Sequence, residues 1–286
     1  FHSRGIDYRT KGDNDRAIEN YSEALRLNPN HAGALVARGA AYRSKREYDL
    51  AIADYDEAIR LEPRNYEAFN NRGNVYRAKR NYDRAIQDFN EAIRLNPNYA
   101  LSFVNRGLAY RSKGEYERAI QDHDKAIRLN PSFVSAYRNR GGIRFEQGNF
   151  AAAAQDFAKA AELDPSNLYS PLWLYLSERR AGQRGQAGLE SLPQQIDLGK
   201  WPGAVITFYL GKIDEKTMYA AAENPEPKKK TEQICEANFY SAEAKLLKGE
   251  TTEAIPLLRA AAKDCPPTFF EARFAHAELK RLGIGQ

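Results

Sequence analysis

The chain is poor in the residues that most often carry chemistry. Its 286 residues include two cysteines, one methionine, two tryptophans and four histidines. The histidines His2, His31, His123 and His276 are scattered, and HExxH, GxSxG and a phosphate loop ending in GK[ST] are all absent. Two cysteines thirty residues apart, with no CxxC and no second ligand pair, make a poor zinc site. The expectation is a protein that is not an enzyme and holds no metal or cofactor. Long apolar runs are missing as well: 171–176, PLWLYL, falls far short of the ~18 apolar residues a membrane span needs. Nor does one sign of charge dominate. Forty-three basic side chains interspersed with thirty-eight acidic ones describe a solvated helical surface rather than a nucleic-acid footprint. The sequence opens on Phe1 without an initiator Met, so any targeting segment is expected to lie outside it.

What is present is a period. Pro29, Pro63, Pro97, Pro131 and Pro165 stand 34 residues apart. Counting back from them gives a glycine column (Gly5, Gly39, Gly73, Gly107, Gly141) and an alanine column (Ala17, Ala51, Ala85, Ala119, Ala153). A second alanine column runs Ala24, Ala58, Ala92, Ala126, Ala160, and aromatics recur as Tyr8, Tyr42, Tyr76 and Tyr110. Small residues suit a close approach of two helices, and Gly12, Gly114 and Gly148 fall where the first helix of a hairpin must end. The proline closes each unit because it cannot continue a helix. The best copy, residues 66–99, reads YEAFNNRGNVYRAKRNYDRAIQDFNEAIRLNPNY.

Period and pattern resemble the tetratricopeptide repeat (TPR) family. The resemblance implies an all-α fold: a TPR superhelix, or α-solenoid, of about five regular repeats, followed by degenerate C-terminal hairpins and a capping helix. The expected organisation is 1–165 for the five repeats, 166–232 for a degenerate helical region with a polar loop, and 233–286 for a TPR-like hairpin and its cap. A single hairpin cannot bury its apolar side, whereas stacked hairpins share one core.

Two charged columns run through the repeats. Arg38, Arg72, Arg106 and Arg140 precede the glycines, and Asp54, Asp88, Asp122 and Asp156 follow sixteen residues later. Folding each hairpin at its turn places each Arg beside its Asp, which predicts a ladder of internal ion pairs setting hairpin register. Repeat 1 departs from it, with Arg4 facing Asn20. In the TPR family the inner, concave surface is lined by the first helix of each hairpin, and peptides bind there. Carried to this chain, the partner-binding candidates are Val36, Arg43, Asn70, Asn74, Arg77, Val104, Leu108, Arg111, Arg138 and Phe145. Arg9, Arg43, Arg77 and Arg111 repeat every 34 residues and read either as a basic stripe suited to carboxylates or as solvated helix-end arginines. The carboxylate clamp of chaperone-binding TPRs is matched only in its asparagines (Asn71, Asn105, Asn139), which argues against chaperone tails.

After Pro165 the clean pattern stops. Residues 168–180 read as an apolar helix, 182–188 as a turn, 201–222 as a short helical unit and 224–230, NPEPKKK, as a polar loop. From 233 a degenerate repeat returns through Ala242, Gly249, Ala254, Ala261 and Pro266, and a last helix at about 268–281 caps the stack. The segments LWLYLSE, VITFYLGKIDEKTM, EANFYSAEAKLLKGE and FFEARFAHAELKRLG occur in the order found in NlpI-type (new lipoprotein I) bacterial TPR proteins. That resemblance implies an extracytoplasmic homodimer on the periplasmic side of the outer membrane. It also implies an adaptor that presents peptidoglycan hydrolases to a PDZ-containing protease. The lipid-bearing cysteine of that family is not in this chain, so membrane association would require an anchor the sequence does not contain. The competing reading is a cytosolic TPR scaffold or chaperone-associated peptide-binding module.

Cys235 lies fourteen residues before Gly249 and Cys265 sixteen after it. An antiparallel hairpin folded at that glycine brings the two together, so a disulfide and a periplasmic location are expected, with two buried thiols as the alternative.

Overall fold

The computed structural model describes residues 1–190, 192 and 197–284, and among these it contains seventeen α-helices and no strand. The chain divides into two compact units, Phe1–Phe133 and Val134–Gln286. The repeat array expected over 1–165 is therefore shared between them, with its fifth hairpin in the second unit.

The first unit is four hairpins: α1 (His2–Thr10) with α2 (Asn14–Leu27), α3 (Ala32–Ser44) with α4 (Tyr48–Leu61), α5 (Tyr66–Ala78) with α6 (Tyr82–Leu95), and α7 (Ala100–Ser112) with α8 (Tyr116–Leu129). The sequence explains several of the boundaries. The side chains of Asp13, Asn65 and Asn81 accept a hydrogen bond from the backbone three residues on and cap α2, α5 and α6. Glycine in the shared column lets the two helices of a hairpin touch: a Cβ on Gly73 would stand 2.8 Å from Phe89 Cε1. The aromatics and His123, which is fully buried, fill the space that the small residues leave.

The tight turn between helices requires a left-handed residue. Gly12 and Gly114 supply it with φ of 81° and 79°, but the equivalent positions hold Arg46 (63°) and Arg80 (59°). A side chain there strains the backbone, and Arg80 is exposed. Arg80→Gly is therefore expected to raise stability by about 1 kcal/mol, read as a higher denaturant midpoint. An unchanged or lower midpoint would show that the turn carries no such strain.

The second unit opens with the hairpin α9 (Val134–Glu146) and α10 (Phe150–Leu163), followed by α11 (Tyr169–Arg180) and the short α12 (Ala187–Glu190), α13 (Gly203–Tyr209) and α14 (Glu215–Ala221). It closes with α15 (Pro227–Lys248), α16 (Thr251–Asp264) and α17 (Phe270–Arg281). The polar loop expected at 224–230 needs correction, because Pro227–Lys230 form the first turn of α15. Proline at the opening position starts a helix, since its missing N–H would have had no partner there. The core is aromatic. Trp173 is fully buried, with Tyr240 at 5.5 Å and Phe274 at 5.0 Å between ring centroids.

The last helix folds back on the first helix of its unit. Phe274 stacks on Phe145 at 4.3 Å, and Phe270 occupies the space in front of Gly142, where a Cβ would stand 2.6 Å from its ring. Arg281 donates to the carbonyls of Phe145 and Glu146, capping the end of α9.

Candidate functional site

The charged columns form a ladder. Arg38 grips Asp54 through Nε (2.8 Å) and Nη2 (2.7 Å), Arg72 grips Asp88 (2.9 and 2.7 Å), and Arg106 grips Asp122 (2.9 and 2.7 Å). In the second unit Arg140 donates to Asp156 at 2.5 Å, and Arg144 reaches the same carboxylate at 2.9 Å. All four aspartates are buried. One feature differs from the expectation of pairs confined to single hairpins. The third nitrogen reaches the preceding repeat: Arg38 Nη1 to Ser22 Oγ (3.0 Å), Arg72 to Asp56 (2.6 Å) and Arg106 to Asn90 (2.6 Å). Each of these arginines thus ties its hairpin together and ties it to its neighbour. Asn20, in repeat 1, turns instead to the carbonyl of Arg16.

The helices α1, α3, α5 and α7 lie side by side, and this decides which candidate binding residues remain available. Asn70 is 2% exposed, and its Oδ1 accepts from Ser102 Oγ (3.2 Å) and Asn105 Nδ2 (3.0 Å), joining α5 to α7. Asn74 and Val104 are also buried, and so is Arg111. The expectation that Asn70 and Val104 face a ligand is corrected here: the packing of neighbouring first helices consumes them. Phe145 is corrected for another reason, since α17 covers it completely. Val36, Arg43, Arg77 and Leu108 in the first unit, and Arg138 in the second, stay partly exposed.

Arg43 and Arg77 are partly buried arginines outside the ion pairs of the first unit, whereas Arg46 and Arg80, likewise without an acid among the described residues, are exposed. The surface arginines Arg26, Arg60, Arg94 and Arg118 each hold a glutamate three residues back. Neither Arg43 nor Arg77 has a carboxylate within 4.0 Å among the described residues. Arg77 donates only a long bond to Asn74 Oδ1 (3.5 Å), and its Nε is enclosed without a partner. Burial, and then the nearby Arg43 charge, push the Arg77 guanidinium below its usual range.

The second unit encloses acids that sequence reasoning missed. Glu236 accepts from Trp201 Nε1 (2.7 Å) and Tyr169 Oη (3.0 Å), and Glu271 accepts from Tyr240 Oη (2.8 Å). Burial, reinforced by Glu271, pushes Glu236 up to about 8, and burial pushes Glu271 up to about 7. Glu243 and Glu278 share Arg180, at 3.3 and 2.5 Å. A signal existed: Glu236 and Glu243 are seven residues apart on α15, so they share the face of Phe239 and Tyr240 rather than the polar face.

Cys235 and Cys265 meet within this unit, with Cα atoms 5.2 Å apart, inside the span a disulfide bridges. Cys235 sits well inside α15, because the helix begins at Pro227 rather than near 233, where the sequence pattern places the return of the degenerate repeat.

Stacked antiparallel hairpins with recurring glycine, alanine and proline columns define a helical-repeat protein. A tetratricopeptide repeat profile matches residues 66–99, and a second one matches 2–61 and 104–167. A protein prenyltransferase alpha subunit repeat profile also matches 48–78, the span from α4 into α5. Among solved structures, MamA is 32% identical over 56% of this chain and 94% of its own, with a TM-score of 0.50. A tetratricopeptide repeat protein from Parabacteroides merdae ATCC 43184 is 18% identical over 97% of this chain and 96% of its own, with a TM-score of 0.59. YrrB, described as a TPR protein with an unusual peptide-binding site, is 21% identical over 68% of this chain and 100% of its own, at 0.50. The chain belongs to the tetratricopeptide repeat family. TPR proteins are in general non-enzymatic modules that bind proteins or peptides.

Proposed function

We propose that this protein is a non-enzymatic adaptor of the bacterial cell envelope that holds protein partners on the first-helix face of its repeats. The observation that carries the binding half is the Arg43–Arg77 pair, two partly exposed guanidinium groups without an acid of their own. Charge left uncompensated on a folded surface costs stability, and a partner's carboxylate recovers it. The peptide-binding site attributed to YrrB supports the same use of the fold. Location rests on the adjacent cysteines, because disulfides persist in oxidising compartments. The ordered likeness of the C-terminal third to NlpI-type proteins adds a periplasmic setting, a homodimer, and peptidoglycan hydrolases and an envelope protease as partners.

Reconstitution tests the adaptor role. Mixed with a purified peptidoglycan hydrolase and a periplasmic PDZ-containing protease, the protein should co-elute with the hydrolase and speed its cleavage. Absence of both effects sinks the role. Location is tested by mass: envelope-extracted protein alkylated without reductant should carry no label on Cys235 or Cys265. Two labelled cysteines would remove the oxidising compartment from the proposal.

A further inference from the structure

We infer that Arg43 and Arg77 form a seat for the carboxylates of an acidic helical protein segment. This rests on the adaptor reading, since it assigns a chemistry to the partner of the same face.

Three observations converge on it. The first is the missing counterion. Arg38, Arg72 and Arg106 are saturated by acceptors on both sides, and the arginines at the ends of α2, α4 and α6 hold glutamates. Arg43 and Arg77 have neither arrangement among the described residues. The second is their closeness. The side-by-side packing of α3 and α5 brings the Arg43 guanidinium near enough to disfavour the charge of Arg77. Two like charges held together without an acid are a poor choice for stability alone. A pair of carboxylates satisfies both, and a planar guanidinium matches a carboxylate with two parallel donors.

The third observation says what shape the ligand takes. Phe145 on α9 occupies the repeat position of Arg43, Arg77 and Arg111, and Gly142 occupies that of Asn74. There the chain seats a helix of its own. α17 places Phe270 before Gly142 and Phe274 on Phe145, two residues one helical turn apart on one face. This face of a repeat therefore accepts a helix whose contacts come at a spacing of four. Where Phe145 is replaced by arginine, as in the first unit, the complementary side chains become glutamate or aspartate at the same spacing. A helix-in-groove mode anchored at i and i+4 follows.

The test uses a fluorescein-labelled alanine–leucine helical peptide with glutamates at i, i+4 and i+7, and the same peptide with glutamine. The glutamate peptide should bind in fluorescence anisotropy and weaken with salt, and the glutamine peptide should bind at least about tenfold less tightly. Arg43→Gln with Arg77→Gln should cost at least about tenfold. The control pair Arg46→Gln with Arg80→Gln removes the same charge at exposed turns and should leave affinity unchanged. Arg43→Glu with Arg77→Glu should in turn gain affinity for a lysine version of the peptide, a gain that only a folded protein can give. Equal binding of the glutamate and glutamine peptides, or an equal loss in the control pair, overturns the acidic seat while leaving a protein-binding face intact. Displacement by an oligonucleotide of the same charge at lower concentration would reassign the seat away from protein. Failure of every peptide to bind overturns the seat, and the hydrolase reconstitution then decides the adaptor role separately.

Discussion

Asp88→Ala is expected to destabilise the first unit by about 3 kcal/mol, seen as a lower denaturant midpoint at unchanged slope. Asp88 is buried and accepts both arms of Arg72, so its removal leaves a part-buried guanidinium with only the exposed Asp56. The loss should exceed that of any surface pair, such as the solvent-screened Arg94 with Glu91. The converse is equally informative. Burial pushes the Asp88 carboxyl up in spite of the Arg72 bonds that pull it down. Burial also lowers Arg72, though its bonds to Asp88 and Asp56 outweigh that and raise it. Desolvation of the more enclosed carboxylate thus takes back much of what the attraction gives. Replacing both partners, Arg72→Met with Asp88→Leu, should therefore recover most of the stability lost by Asp88→Ala. A double variant as weak as the single one would show that the pair itself, not the orphaned charge, carries the stability.

Stability of the second unit is expected to fall as pH rises from 6 to 9, with Glu236→Gln removing most of the slope. Glu236 is held at about 8 and Glu271 at about 7 in the fold, against ordinary glutamate values near 4.5. Both pKa values are raised, so the fold binds protons that the unfolded chain releases. Stability is then greatest below the unfolded value, declines as pH climbs toward the folded values, and levels off above them. The total is on the order of a few kcal/mol, at about 1.4 kcal/mol per unit. The groups facing the pair explain the direction. Tyr169 and Trp201 give Glu236 only neutral donors, Glu232 and Glu271 repel it, and Arg138 and Arg273 relieve Glu271 only in part. Glutamine keeps an acceptor for Tyr169 and Trp201 without an ionisable group. Urea melts at pH 6, 7.5 and 9 would contradict this if the wild type gained stability with pH, or if Glu236→Gln kept the full slope.

Much of the architecture was legible because its causes are local. The prolines at a spacing of 34 residues stop the second helices, and the glycine column marks where two helices touch. The forward partner of each ladder arginine followed from folding the hairpin. The backward partner did not, although it lies at the same distance: Arg72 stands sixteen residues before Asp88 and sixteen after Asp56. The backward column reads Ser22, Asp56, Asn90, a set of unlike acceptors that no single residue type announces. The binding face was harder still. Periodicity placed Asn70, Val104 and Phe145 on the right helices, but burial there depends on which helix lies alongside, and α17 returns to α9 from more than a hundred residues away. Glu236 and Glu271 were overlooked because acidic side chains in helices are ordinarily solvated. The lysines after Pro227 looked like a loop, whereas an exposed helix start tolerates them.

The two-sided grip of Arg72 has a consequence for how such a chain can grow. Arg38, Arg72 and Arg106 each take one acceptor from their own copy and another from the copy that stands before it. Excision of residues 66–99 would leave Arg106 facing Asp56 in place of Asn90, with Asp122 untouched. Inserting an extra copy would likewise supply every arginine with both acceptors. Gene duplication or loss in whole repeats therefore leaves the wiring intact, while an insertion of any other length severs it at one joint.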